Sequence, residues 1–203
     1  MSQIWYAAFS EDFVGQAQKI FKKLDKDVIV TVWDPELVPE MLRRGVSVIL
    51  GRGATALRIR KVVDLPEVEI PIPFEDMADT LIEASRYGRN IGVIGYNNLL
   101  SGLECLNPIL NVSIRQIFAV DENDTYHQIQ KLKNEGIDVI VGGLLQTHYA
   151  RELGLPAVRI ELTDKSLSYA CQEAEKLIAT VKTATRKAEE LKTILNTTNE
   201  KYV

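Results

Sequence analysis

Cysteine and histidine are scarce in this sequence of 203 residues, which contains two of each. Cys105 and Cys171 are far apart and form no CxxC pair, so they supply neither a disulfide framework nor the usual zinc ligands. His127 and His148 have no carboxylate cluster beside them, and we expect both to be ordinary helix residues. The sequence therefore predicts no metal and no cofactor, and the cysteine usage favours a reducing cytosol.

Long apolar runs are absent as well. No stretch approaches the roughly 18 apolar residues that a membrane-spanning helix needs, and the first residues lack the basic start and apolar core of a signal peptide. The net charge of −4 argues against direct binding of nucleic acid by this chain. These absences predict a cytoplasmic location without a membrane partner, and 46% apolar residues predict a packed core.

Known catalytic and nucleotide-binding patterns are also missing. The sequence contains no GxSxG, no GxxxxGK[ST] and no full GxGxxG, and no Ser-His-Asp order stands out. Cys105 lies in an apolar stretch, so we expect its thiol to be buried and unreactive, and we expect Cys171, in the C-terminal helix, to be unreactive as well. We therefore predict no catalytic residue and no enzymatic activity for this chain.

What the sequence does contain is one stretch that occurs twice. Residues 45–51 read GVSVILG and residues 136–142 read GIDVIVG, and each is followed by a second segment, LPEVEI at 65–70 and LPAVRI at 155–160. The offsets are 136 − 45 = 91 and 155 − 65 = 90, so the copies keep register within one residue. Each copy is typical of a buried strand, a glycine turn, a short helix and a second strand. The sequence thus predicts a duplicated α/β lobe.

Short apolar segments alternate with segments of helical periodicity on both sides of this repeat, which predicts parallel sheets covered by helices on both faces. The crossover between lobes falls near the extended segment 71–74 and the helix that follows it. We predict a first lobe over residues 1–87 and a second lobe over residues 88–162.

The remainder, residues 163–203, is predicted to be one long helix. It contains neither glycine nor proline, and its apolar residues follow steps of four and three: Ala170, Ala174, Leu177, Val181, Ala184, Ala188, Leu191 and Leu195. At about 1.5 Å per residue, a helix from residue 164 to 197 is on the order of 50 Å long. We expect its first part to pack on the first lobe and its end to project as a linker or as half of a homodimeric coiled coil. The alternative is a long surface helix.

Ligands of open parallel sheets bind beyond the carboxyl ends of the strands, where helix N-termini favour anions. In the first lobe these positions hold Ser10 and the loop of Arg52, Gly53, Ala54 and Thr55. Arg52 has the geometry for a bidentate pair with a carboxylate, and Thr55 offers a hydroxyl. The alternative is a tight turn with Arg52 in water.

The second lobe offers a matching set of loop residues. Tyr96, Asn97 and Asn98 follow its first strand, and Gly143 and Leu144 follow its duplicated strand. The aromatic ring and the amides could stack on and hydrogen-bond to a ligand, although an Asn pair also makes an ordinary turn. We predict that both sets of loops line one cleft between the lobes.

Several segments between residues 46 and 175 resemble one known family. They are residues 51–56, 66–71, 84–88, 91–98, 102–104, 138–143 and 150–158. In this order they are similar to the N-terminal sensor domain of the propionate-catabolism activator family. These domains stand at the head of sigma-54-dependent, NtrC-type transcriptional activators.

The resemblance implies a chelatase-like fold with two three-layer α/β/α lobes, each built on a parallel four-stranded sheet. It also implies that a small carboxylate metabolite, 2-methylcitrate-like in the named branch, binds the cleft and relieves inhibition of a downstream ATPase domain. The family often has Arg-Gly-Gly-Thr where this chain has residues 52–55, RGAT, so the effector is expected to differ. The family's ATPase and DNA-binding domains are partners that these 203 residues do not include, which leaves a fragment or a stand-alone sensor open.

Three functions follow from these observations. The leading one is an effector-sensing domain that binds a small anionic metabolite and acts on its ATPase domain through the C-terminal helix. The alternative is an enzyme on a chelatase-like or tetrapyrrole-synthase-like two-lobed fold, since polar cleft loops serve catalysis equally well. The third is a dimerisation module that acts through the C-terminal heptads.

Overall fold

The computed structural model describes residues 3–96, 99 and 101–199. Its first sheet has four parallel strands in the order β2-β1-β3-β4. The strands are β1 (Ile4–Ala8), β2 (Ile29–Val32), β3 (Val48–Gly51) and β4 (Glu67–Glu69). The helices between them are α1 (Glu11–Lys23), α2 (Val38–Arg43), preceded by a 3-10 turn at Pro35–Leu37, and α3 (Ala54–Val62).

The second sheet repeats this arrangement. It has the order β6-β5-β7-β8, again with all strands parallel. The strands are β5 (Asn90–Gly95), β6 (Ser113–Phe118), β7 (Val139–Gly142) and β8 (Ala157–Arg159). The other helices are α4 (Phe74–Ala84), α5 (Asn107–Leu110) after a 3-10 turn at Leu103–Leu106, α6 (Glu122–Asn134), α7 (Leu144–Glu152) and α8 (Asp164–Asn199). The predicted fold class, two α/β lobes with a long C-terminal helix, is confirmed.

The duplicated stretches form β3 and β7, which are interior strands of the two sheets. Every residue of both strands is buried, because a parallel strand covered on both faces has no polar side. Both strands end at a glycine, Gly51 and Gly142, and a helix starts within three residues of each. The two sheets therefore present equivalent turns at their carboxyl edges.

Each sheet receives a covering helix from the chain segment that follows the other sheet. Helix α4 follows the first sheet, but its buried Met77, Leu81 and Ala84 pack with the strands of the second sheet. Helix α8 follows the second sheet, and its buried Leu167 and Ala174 pack with the strands of the first. The predicted division at residue 87 counts α4 with the first lobe, whereas its packing is with the second sheet, so that division remains a prediction.

The two crossover segments are joined by side chains. The Thr163 hydroxyl, just before α8, donates to the Asp76 carboxylate in the first turn of α4 at 2.6 Å. Lys165 and Glu75 form an ion pair at 2.7 Å between the same two helix starts. The points at which the chain passes between the lobes are therefore coupled to each other.

Helix α8 separates into a packed part and a projecting part. Its buried positions run from Ser166 to Ala174, Leu177 and Ile178 are half-buried, and every residue from Ala179 to Lys192 is exposed. Among the described residues, the seam positions of the projecting part, Val181, Ala184, Ala188 and Leu191, are exposed. Within the described residues, no helix is long and apolar enough to cross a membrane.

One expectation about the cysteines is wrong. Cys171 is buried in the first-lobe core, where burial raises the pKa of its thiol to about 11, but Cys105 is exposed. Cys105 lies in the 3-10 turn Leu103–Leu106, whose period of about three residues buries Leu103 and Leu106 and turns the residues between them outward.

The packing of α8 predicts a large stability difference between two leucines. Leu167 on α8 is fully buried, whereas Leu42 on α2 is 49% exposed. We expect Leu167→Ala to lower the free energy of unfolding by about 2–5 kcal/mol because it leaves a cavity, and Leu42→Ala to lower it by less than about 1 kcal/mol. Urea denaturation followed by circular dichroism measures both, and equal losses would contradict the packing of α8 on the first sheet.

Candidate functional site

A cavity lies between the two lobes, at the carboxyl edges of both sheets. Its volume is about 80 Å³, room for about six waters at 10–15 Å³ each. Residues of the first lobe, of the second lobe and of both crossover segments line it: Tyr6, Ala7, Phe9, Phe13, Arg52, Gly53, Ala54, Thr55, Ile72, Ile94, Gly95, Tyr96, Leu99, Gly143, Leu144, Leu145, Gln146 and Ile160.

Gly53 brings the first lobe into contact with the second. Its backbone has φ +55° and ψ −123°, a conformation that L-residues rarely adopt. A Cβ atom on Gly53 would lie 3.5 Å from the Tyr96 ring, so the turn before α3 touches the second lobe directly. Ala54, the next residue, belongs to the same buried cluster as Ile94 and Tyr96.

Arg52 links the first lobe to the second crossover segment. Its guanidinium donates to the carbonyl oxygens of Glu161 at 3.0 Å and Ile160 at 3.3 Å. Desolvation lowers the pKa of Arg52, and the nearby Tyr6 and Asp76 act in the opposite direction. A guanidinium has five N–H donors, so these two bonds leave further donors on the side chain that lines the cavity.

Tyr6 places a neutral hydroxyl in the same cavity. The side chain is buried on β1, and this burial raises its pKa to about 12, while the positive charge of Arg52 acts in the opposite direction. The phenol therefore stays protonated at neutral pH. It makes no side-chain hydrogen bond with the described part of the chain.

Thr55 and Gln146 occupy equivalent places in the two lobes, since 146 − 55 = 91 is the offset of the duplicated strands. Thr55 is 2% exposed and Gln146 is 3% exposed, and both line the cavity. Neither side chain makes a hydrogen bond with the residues that the structure describes. Buried polar groups are hydrogen-bonded in the great majority of cases, so this pair has unused hydrogen-bonding capacity directed at the cavity.

Neighbouring buried polar groups differ from this pair. The Thr147 hydroxyl, one residue after Gln146, is within 3.0 Å of the carbonyl oxygens of Gly143 and Leu144. The Tyr96 hydroxyl is 3.1 Å from the Thr125 hydroxyl, so its polar end is occupied and its ring faces the cavity. Of the six buried threonine, serine and glutamine residues in the described part of the chain, Thr55 and Gln146 are the two whose side chains make no hydrogen bond.

Gly142 makes room for Gln146. A Cβ atom on Gly142 would lie 2.5 Å from the Gln146 Cβ and 2.8 Å from the Ile94 carbonyl oxygen. Both distances are too short for real atoms, so a larger residue at position 142 would displace the glutamine. The glycine that ends the duplicated strand therefore also positions a cavity side chain.

The rest of the wall is apolar, and two arginines cover part of it. Arg58 lies over the ring of Phe9 and Arg159 lies over the ring of Phe13, both at 5.5 Å from the ring centre. Arg58 also forms an ion pair with Glu122 at 2.6 Å, which connects α3 of the first lobe to α6 of the second. The lobes are therefore held together by exposed charges outside the cavity as well as by buried contacts inside it.

Seven of the ten residues predicted for the site lie together on the cavity wall: Arg52, Gly53, Ala54, Thr55, Tyr96, Gly143 and Leu144. Ser10 is not among the lining residues and stands at the start of α1 without a side-chain cap. Asn97 and Asn98 lie outside the described residues. The prediction missed Gln146, although the 91-residue offset from Thr55 points to it, and it missed Tyr6, Phe9 and Phe13.

The lining gives little support to catalysis. In the described part of the chain it contains no histidine, cysteine, lysine, aspartate or glutamate, so no general base or thiol nucleophile faces the cavity. Nor do the described residues include a cluster of histidine, cysteine and carboxylate side chains that could hold a metal ion. The arrangement is suited to holding a small molecule through hydrogen bonds and apolar contact.

Comparisons with known proteins agree with this architecture. A family model described as propionate catabolism activator matches residues 34–200. The chain is similar to the crystal structure of an NtrC family transcriptional regulator from Clostridium acetobutylicum, with a TM-score of 0.72 and 25% identity over 87% of this chain and 96% of that chain. A periplasmic solute binding protein of an ABC transporter from Actinobacillus succinogenes 130z, with bound D-allose, matches at a TM-score of 0.41 and 14% identity over 87% of this chain and 90% of that chain. That TM-score is too low to carry an argument.

The side chains of Thr55 and Gln146 make no hydrogen bonds within the described chain, so removing their polar groups should not lower the free energy of unfolding. We expect Thr55→Val and Gln146→Leu to leave the free energy of unfolding of the ligand-free protein unchanged or to raise it, because each replaces a polar group that makes no hydrogen bond within the described chain by an apolar group of similar size. Thr147→Val is the matched control and should lower it by about 1 kcal/mol, because it removes a hydrogen-bonded hydroxyl. Urea denaturation of the three variants tests this, and equal losses for Thr55→Val and Thr147→Val would contradict it.

Proposed function

The chain belongs to the propionate catabolism activator family, and we propose that it binds a small carboxylate metabolite between its lobes as the effector-sensing domain of a sigma-54-dependent transcriptional regulator. In this proposal the protein acts in the cytoplasm and is not itself an enzyme. Its partners are the effector and the downstream ATPase and DNA-binding domains of the full-length regulator. The cavity between the lobes is the effector site.

One observation carries the proposal: Thr55 and Gln146, at equivalent turns of the two lobes, both line one cavity, and neither side chain makes a hydrogen bond with the described part of the chain. Their polar atoms are free to bond with a molecule in the cavity. A ligand between the lobes would supply that partner to both at once. Arg52 adds a positive charge at the same wall, which suits a carboxylate.

Arg52 also provides a route from the cavity to the C-terminal helix. Its hydrogen bonds go to the carbonyl oxygens of Ile160 and Glu161, three to four residues before α8 begins. A carboxylate that binds Arg52 competes for the same guanidinium and alters its hold on this segment. The Thr163–Asp76 hydrogen bond passes the change to the other crossover, so ligand binding would bias the angle between the lobes and the position of α8.

The shift toward the closed arrangement depends on the difference between the ligand's affinities for the closed and the open arrangement of the lobes. The Arg58–Glu122 pair favours the closed arrangement, although an exposed pair contributes at most about 1 kcal/mol. A ligand held by groups from both lobes loses half of its contacts when the lobes separate. It therefore favours closure by more than the ion pair does.

We propose that the projecting part of α8 transmits the effector signal to the downstream domains and forms the interface of a homodimer. Its seam runs through Val181, Ala184, Ala188 and Leu191, all of which are exposed, with the heptad spacing of a coiled coil. Lys187 and Lys192 flank the seam at positions that would face each other across a parallel dimer. Their repulsion favours a weak dimer that changes readily with the state of the lobes.

Thermal unfolding tests the effector site. We expect at least one member of a panel of mono-, di- and tricarboxylates to raise the Tm by about 5–10 °C at 100 times its Kd, from about 2.7 kcal/mol of binding linkage in a protein of this size. Arg52→Ala should abolish the rise. Arg60→Ala is the control, because Arg60 pairs with Glu67 and Glu69 outside the cavity and should leave the rise intact. A panel without any stabilising compound would refute the proposal.

Sedimentation velocity at two salt concentrations tests the dimer. We expect self-association that strengthens from 50 mM to 500 mM salt, because screening weakens the repulsion between lysines. Leu191→Glu, on the seam, should make the protein monomeric, whereas Thr183→Glu, off the seam of the same helix, should not. A wild-type chain that stays monomeric at both salt concentrations would rule out the homodimer.

A further inference from the structure

We infer that the ligand of this cavity is a compact monocarboxylate with a largely apolar body and one further neutral hydrogen-bonding group, not a di- or tricarboxylate. The inference rests on the proposed function, because it concerns the same cavity. It narrows the ligand class by three properties of the wall: its charge, its apolar surface and its unused hydrogen-bonding groups.

The charge of the wall matches one negative charge. Arg52 is the one cationic side chain among the described lining residues, and part of its donor capacity is already directed to Ile160 and Glu161. Arg58 and Arg159 cover two rings of the wall, but their charges are paired with Glu122 and Glu161. A second or third carboxylate would enter the cavity without a cationic partner, and an unpaired buried charge is strongly unfavourable. The described lining also lacks a carboxylate, so an ammonium group would find no partner, which argues against amino acids and amines.

The surface of the wall is mostly hydrocarbon. Eight aliphatic or phenyl side chains from both lobes and both crossover segments surround the polar groups: Phe9, Phe13, Ile72, Ile94, Leu99, Leu144, Leu145 and Ile160. The ring of Tyr96 adds a ninth apolar surface because its hydroxyl is engaged by Thr125. Such a wall stabilises an apolar ligand body through burial. It would desolvate a body that carries several charges, and this desolvation would weaken binding.

The unused polar groups specify the second feature of the ligand. The Thr55 hydroxyl and the Gln146 amide can each donate and accept a hydrogen bond, so a hydroxyl or carbonyl group of the ligand satisfies them without a charge. Tyr6 stands beside Arg52, as their electrostatic interaction shows, and its protonated hydroxyl can donate to the same carboxylate. The volume of about 80 Å³ suits a small ligand body.

A series on one skeleton tests the charge. The whole chain is titrated by isothermal calorimetry and thermal shift with benzoate, its three monohydroxy derivatives, isophthalate, benzene-1,3,5-tricarboxylate and benzamide. Hexanoate, adipate and propane-1,2,3-tricarboxylate form an aliphatic series of six-carbon acids without a hydroxyl group. We expect binding by a monocarboxylate and a loss of affinity of at least tenfold for each added carboxylate, with the neutral amide weaker than benzoate.

The outcomes separate this inference from the proposed function. Tighter binding of isophthalate, adipate, a tricarboxylate or benzamide than of every monocarboxylate overturns the inference and leaves a ligand-binding cavity in place. The absence of binding by every compound in both series overturns the inference and the proposed function together. Binding led by a monocarboxylate supports both.

Two cavity variants test the role of the neutral hydrogen-bonding group. In the wild type, one monohydroxybenzoate should bind at least tenfold more tightly than benzoate. Thr55→Val and Gln146→Leu should reduce this preference about tenfold while affinity for benzoate and the Tm of the ligand-free protein stay the same or rise. Gln128→Leu, on α6 outside the cavity lining, is the control and should keep the preference. Equal losses for benzoate and its hydroxy derivative in the cavity variants would contradict the assignment.

Discussion

The reciprocal covering of the two sheets is the constraint on which the rest of the structure depends. A parallel sheet needs both faces buried, and here α4 and α8 each leave one sheet and pack on the other. Neither lobe is complete without the helix that follows its partner. The chain must therefore cross twice between the lobes, and the two crossings must lie side by side.

This arrangement also determines where a ligand can bind. Parallel strands point their carboxyl ends in one direction, so both sheets direct the turns after β3 and β7 into the gap beside the crossings. Gly53 lets its turn contact Tyr96 across the gap, Gly142 makes room for Gln146 in its own lobe, and Arg52 anchors the wall to the segment before α8. The cavity, the crossings and the start of α8 are thus parts of one connected region.

The fold could be predicted from the repeat, because a buried parallel strand has a recognisable sequence, here an apolar run between two glycines. This run occurs twice, and the two copies are 91 residues apart. The site was harder to predict. Thr55 stood out beside Arg52, but a glutamine at position 146 in a helix is typical of a solvated surface, and only its equivalence to Thr55 through the duplication distinguishes it. Helical periodicity likewise shows that α4 has an apolar face but not which sheet that face covers. Cys105 was misjudged because its apolar neighbours belong to a 3-10 turn, whose period separates them from the residues between.

The methyl group of Ala54 contributes to the contact between the two lobes. The resemblance to the family suggested that an alanine in place of the second glycine of the Arg-Gly-Gly-Thr pattern would intrude on the ligand. Ala54 is 7% exposed and packs in the cluster that contains Ile94 and Tyr96 of the second lobe, so its methyl also strengthens the contact between the lobes. Packing that favours the closed arrangement reduces the free energy that a ligand must supply to close it. In the proposed function, this contact would add to the modest binding energy that one cation and a mostly apolar wall offer a ligand.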